Sequence, residues 1–83
     1  MDAASKVKTF ILETFLFDRN AQLSEDTLFL ENGVLDSTGV LELVSFIEEQ
    51  FAVAVEDDEI VPENLNSLEN IATYLRSKGV NNA

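Results

Sequence analysis

Ser37 stands directly after Asp36 and directly before a run of residues with helical periodicity. A serine hydroxyl becomes a nucleophile when a neighbouring base takes its proton. The sequence has no histidine to complete a Ser-His-Asp set. The position offers something else. The first backbone N–H groups of a helix have no partner within it, and they lie at the positive end of its dipole. That end favours an anion, so a phosphodiester on the Ser37 hydroxyl would be well placed. The same residues also suit a purely structural role. Either Asp36 or Ser37 can cap the helix, and on position alone capping is the simpler account.

The remaining polar residues narrow the chemistry further. There is no cysteine, hence no disulfide and no thiolate site. The acids lack calcium-loop order, because the loop glycine is missing when counted from Asp18 or Asp57. No glycine-rich phosphate loop occurs. Paired carboxylates are abundant, but a chain of 83 residues is too small to build a deep, dry cleft around them. No catalytic residue and no metal site is expected, and the chain does not read as an enzyme.

Charge is the strongest compositional signal. Sixteen acids face five bases, a net charge of −11, and the stretch 20–75 holds thirteen acids and no Lys or Arg. Such a field repels nucleic acid and anionic membrane and attracts basic protein surfaces. Lys6 and Lys8 precede an apolar run at 9–17, yet Glu13 interrupts it and no small-residue cleavage site follows. No segment is long enough to span a bilayer. The expectation is a cytoplasmic monomer.

The elements that must position Ser37 follow from periodicity. Val7, Phe10, Ile11 and Phe15 lie on one face of a helix over about 3–17, capped by Asp2 or Ser5. A long connection over 18–36 carries Leu23, Leu28, Phe29, Leu30, Val34 and Leu35, with a turn at Asn32-Gly33. It should pack over the core. The second helix starts at Asp36 or Ser37 and runs to Phe51. Val40, Val44, Ile47 and Phe51 share its buried face, flanked by Leu41 and Leu43. Glu42, Glu49 and Phe46 point the other way, beside Thr38 and Ser45, so Phe46 is expected to be an exposed aromatic. A short third helix is expected over about 56–61, ending at Pro62. Ser67 caps a fourth, with Leu68, Ile71, Ala72 and Leu75 as its stripe and Gly79 as its stop. The result is an all-α fold: a small four-helix bundle of three main helices and one short one. The domain should cover 1–78, with a flexible tail over 79–83.

The run Gly33-Val34-Leu35-Asp36-Ser37-Thr38-Gly39-Val40-Leu41-Glu42-Leu43-Val44, with Ile47-Glu48-Glu49-Gln50-Phe51 after it, resembles the signature of the acyl carrier protein family. The resemblance extends over nearly the whole chain. It implies that Ser37 receives a 4′-phosphopantetheine arm, derived from coenzyme A, whose thiol bears an acyl or aminoacyl group. Asp36 would help to dock the phosphopantetheinyl transferase that installs it. Glu42, Glu48 and Glu49 would meet basic docking patches on acyl-activating ligases or synthases. Thr38, Ser45 and Phe46 would add neutral contacts, and Glu56 and Asp57 would extend the surface.

Two positions depart from the family pattern. Thr38 replaces the usual Leu, and Gly39 stands where many fatty-acid carriers have an acid, which reads as one charge fewer on the partner face. Leu35-Asp36-Ser37-Thr38-Gly39 and Val61-Pro62-Glu63-Asn64-Leu65 look more like specialised stand-alone carriers, such as D-alanyl or aminoacyl carriers. The alternatives are an acidic protein-interaction module with no prosthetic group and a small cation-binding protein.

Overall fold

A computed structural model describes residues 3–16 and 23–80. Among the described residues the chain forms helices and connections and no strand. α1 spans Ala3–Ile11, α2 spans Ser37–Phe51, α3 is the short Pro62–Leu65, and α4 spans Leu68–Ser77. Val7 and Ile11 of α1, Leu43 and Ile47 of α2, and Ile71 and Leu75 of α4 are fully buried and meet in one core. Each such side chain contributes roughly 1.5–3 kcal/mol by leaving water. This is the small all-α bundle expected from the periodicity.

Three elements differ in detail from that expectation. The first helix does not run evenly over its length: after Ile11 it widens into a π-helical turn, Leu12–Leu16. Adjacent Ile11 and Leu12 are both buried, and the wider turn allows neighbours in sequence to face inward together. Ser5 lies inside α1 and cannot cap it, whereas Asp2 and Phe17 lie outside the described residues. The segment expected as a helix ending at Pro62 is a 3₁₀ turn, Asp57–Glu59, and Pro62 begins α3. Proline has no N–H to lose in the first turn of a helix, where that group would have no partner, so it starts this helix.

The long first loop is tied down at two places. Phe29 N–H donates to the Asn66 carbonyl at 2.8 Å and Leu30 N–H to Asn66 Oδ1 at 2.9 Å. Asn66 Nδ2 donates in turn to Glu31 Oε1 at 2.8 Å. Further back, Glu69 N–H at the start of α4 donates to the Glu25 carbonyl at 2.9 Å. Phe29, Leu23 and Leu35 thereby enter the core. The Asn32-Gly33 turn forms as expected, with Gly33 at φ +70° and Val34 N–H returning to the Phe29 carbonyl at 2.8 Å.

The two long helices after the loop end differently. α4 closes on Gly79 in the left-handed conformation, with Gly79 N–H on the Arg76 carbonyl and Val80 N–H on the Leu75 carbonyl, both at 3.0 Å. This Schellman arrangement holds Gly79 and Val80 against the helix end. Residues 81–83 of the expected tail lie outside the described set. α2 is followed by a left-handed residue as well, but there it is Ala52, at φ 55° and ψ 42°. A left-handed L-residue costs about 1–2 kcal/mol, and glycine gives back roughly 0.5–1 kcal/mol of that gain through its looser unfolded chain. Ala52→Gly is therefore expected to stabilise the fold by roughly 0.5–1 kcal/mol. A thermal melt should show a rise of roughly 2–8 °C, and an unchanged or lower midpoint would contradict the strain.

Candidate functional site

Asp36, not Ser37, is the cap of α2. Its backbone is extended at φ −110° and ψ −173°, and its Oδ1 accepts the Gly39 N–H at 2.7 Å. The Asp36 carbonyl accepts the Val40 N–H at 2.9 Å. Because the carboxylate does the capping, the Ser37 hydroxyl is left for other work. Ser37 is the first residue of α2 and is exposed. Among the described residues no side-chain hydrogen bond engages its hydroxyl.

Gly39 has a structural reason of its own. It is buried, and a Cβ built on it would lie 3.1 Å from Phe15 Cε1 and 3.3 Å from both Asp36 Oδ1 and Leu35 Cδ2. The position therefore does not belong to the outward face, and reading it as a lost surface charge was incorrect. The absent side chain makes room for the Phe15 ring delivered by the π-turn.

The outward face of α2 brings together Ser37, Thr38, Glu42, Ser45, Glu48 and Glu49, all exposed. Leu41, assigned from periodicity to the flank of the buried face, stands among them at 58% exposure and is the largest apolar side chain there. Its position one turn after Ser37 is the signal that could have revealed it. Phe46 is a correction in the opposite sense. It is half-buried, stacked on Phe10 with centroids 4.1 Å apart and planes at 17°. It also meets Phe51 edge-on at 6.3 Å. The expected exposed aromatic thus serves the α1–α2 seam. Glu48 is not free either, since its Oε2 accepts the Val55 N–H at 2.9 Å. Glu56 and Asp57 are exposed at the 3₁₀ turn, away from the helical row in sequence.

Two hollows flank the loop that leads into Ser37, and Leu30 and Leu35 line both. One is a small apolar cavity of about 90 Å³ between Phe29, Val40, Ile60, Val61 and Leu65. It is smaller than the roughly 150 Å³ that holds one benzene ring. The other is an open groove of about 610 Å³ bordered by Phe15, Gly33, Val34, Asp36 and Ser37.

The 3₁₀ turn just before Ile60 and Val61 is braced by charge. Glu59 Oε1 accepts the Glu56 N–H at 2.9 Å, Lys78 Nζ at 3.0 Å and the Tyr74 hydroxyl at 3.1 Å. The Glu56 N–H, then the Lys78 ammonium and the Tyr74 hydroxyl, hold the Glu59 carboxyl below its usual range. Burial, reinforced by the Glu59 carboxylate, pushes the Tyr74 phenol up to about 12. No group of metal-ligating side chains occurs among the described residues, and no described helix is long and apolar enough to cross a membrane.

Comparison with known proteins gives a consistent set of relatives. The chain is 29% identical over 77 residues to the acyl carrier protein of Helicobacter hepaticus, covering 93% of this chain and 97% of that one. It is 31% identical over 74 residues to the acyl carrier protein of Bdellovibrio bacteriovorus, covering 89% and 91%. It is 34% identical over 71 residues to the D-alanyl carrier protein of Streptococcus suis, covering 86% and 87%. No protein-family model matches the chain.

Burial of Tyr74, with its bond to Glu59, sets a pH limit. Tyr74 is protonated in the folded state well above its ordinary value of 10.0, so its contribution to stability is complete below pH 10 and is lost as pH rises toward 12. Tyr74→Phe has no such proton to lose. Denaturation across the alkaline range should show a decline in the wild type that is weaker in Tyr74→Phe. Parallel curves would mean that Tyr74 is not the group responsible.

Proposed function

The chain belongs to the acyl carrier protein family, and we propose that Ser37 carries its prosthetic arm, a 4′-phosphopantetheine derived from coenzyme A. The observation that carries this reading is the division of labour at the start of α2. Asp36 satisfies the Gly39 N–H and leaves the exposed Ser37 hydroxyl unengaged. The residues present fit the group. No acid follows Asp36 in the first turn of α2, so the positive end of the helix dipole can take a second anion there. The arm supplies a thiol that holds an acyl or aminoacyl cargo as a thioester.

The chain's own contribution is presentation rather than catalysis. Ser37 Oγ is the point of attachment, held at a fixed helix end by the Asp36 cap. Leu41, Thr38 and Ser45 give partners a neutral patch beside it, and Glu42, Glu48 and Glu49 surround that patch with negative charge. A phosphopantetheinyl transferase and the cargo-loading ligase or synthase would approach this face with basic patches, steered by the field. In this reading the chain is a single carrier domain whose fold takes in Gly79 and Val80 beyond the expected limit at residue 78, and the protein acts as a cytoplasmic monomer. The D-alanyl carrier protein among the relatives supports a specialised aminoacyl or acyl pathway as readily as fatty-acid synthesis.

The first test is intact mass after incubation with coenzyme A, magnesium and a phosphopantetheinyl transferase. Wild type gains one phosphopantetheine and Ser37→Ala gains none. An arm on the Ser37→Ala variant would move the site elsewhere, and no gain on wild type would leave an acidic interaction module. A second test addresses the face. Glu42→Lys with Glu49→Lys should slow loading at low salt with the helical circular dichroism unchanged. The difference should shrink as salt rises, because the Debye length falls from about 10 Å at 0.1 M to about 3 Å at 1 M. Equal loading rates at low salt would remove these glutamates from the docking surface.

A further inference from the structure

Resting on the assignment of the arm to Ser37, we propose that the arm lies in the open groove between the π-turn and the loop before α2, with the Phe15 ring as its floor and positioning residue. Ser37 and Asp36 border this groove, and neither borders the small apolar cavity on the other side of Leu30 and Leu35. A tether leaving Ser37 therefore starts at the rim of the groove and not at the small cavity.

Size separates the two hollows. The cavity, at about 90 Å³, is too small for a chain with a gem-dimethyl group, two amides and a thiol, whereas the groove offers about 610 Å³. Polarity separates them again. Two amides placed among Phe29, Val40, Ile60 and Val61 would lose their water with little in return. In the groove they stay open to solvent beside Asp36 and the turn at Gly33, while the methyl groups lie against Phe15 and Val34.

The groove floor is a built feature. The Phe15 ring reaches it because Gly39 has no side chain, and any Cβ there would stand 3.1 Å from the ring. The other side of the ring is braced edge-on by Phe10, with centroids 5.8 Å apart at 83°. A flat apolar surface is thus presented next to the attachment point by three residues, one each from α1, the π-turn and α2. None of the three is explained by partner docking.

The test uses uniformly ¹³C,¹⁵N-labelled protein loaded with an unlabelled arm from coenzyme A, with loading verified by intact mass. Isotope-filtered NOE spectra should connect the gem-dimethyl protons to the Phe15 ring and the Val34 methyls. They should show no contact to the Ile60, Val61 or Leu65 methyls. Phe15→Leu and Gly39→Ala should still gain the arm mass and keep their circular dichroism. In both, the NOEs should be lost and the arm's amide shifts should move toward those of free pantetheine. Contacts to Ile60 and Val61, or none to the protein, in a fully loaded wild type would overturn the seat while leaving the Ser37 assignment intact. A wild type that gains no mass would overturn both. If either variant fails to fold, the wild-type contacts still decide the question.

Discussion

A buried asparagine holds the architecture around the site. Asn66 sits at the junction of α3 and α4, 7% exposed, and uses its carbonyl, side-chain oxygen and side-chain nitrogen on three consecutive residues of the first loop. Ordering a loop of this length costs conformational entropy that its own turns cannot offset. The Asn66 bonds replace water for amides that must be buried if Phe29 is to enter the core. Once Phe29 is fixed, Leu35 is fixed, and Asp36 and Ser37 follow at the start of α2. The geometry at Ser37 is therefore set by a residue far along the sequence, Asn66.

The negative charge obeys a second constraint. A domain of this size has about 5 kcal/mol of stability, the lower end of the usual range, so thirteen acids in a base-free stretch must be kept apart or given partners. Glu59 receives Lys78, Tyr74 and a backbone N–H; Glu48 receives the Val55 N–H; Asp36 caps α2. Among the described residues Glu42 and Glu49 have no such engagement; both are exposed, with Ser45 between them in sequence and Leu41 just before Glu42. The acids nearest the connections serve the fold, and those along the middle of α2 stay exposed.

Much of this was legible in the sequence because it is local. The apolar periods of α1, α2 and α4, the Ser67 cap, the Gly79 stop and the Asp36-Ser37 helix start each depend on residues within a turn or two of one another. What was not legible depends on contacts between elements. Phe46 has a surface position on the helical wheel, and only the approach of Phe10 buries it. Gly39 looks like a missing charge until the π-turn brings Phe15 against it. Leu41 looks like core until the neighbouring elements leave its side of the helix open. Pro62 looked like an ending because a proline is compatible with either boundary, and the local sequence does not say which.

The chain has one tyrosine and no tryptophan, and that tyrosine is Tyr74, held between α4 and the 3₁₀ turn by Glu59. Every near-ultraviolet signal beyond the weak phenylalanine bands therefore originates at a single ring. Tyrosine fluorescence and absorbance act as a local gauge of the Glu59 brace behind the small cavity, without any label. They are optically blind to the Ser37 end of α2. An ultraviolet titration of this protein reports on the back of the bundle, and a silent spectrum carries no information about whether the front is occupied.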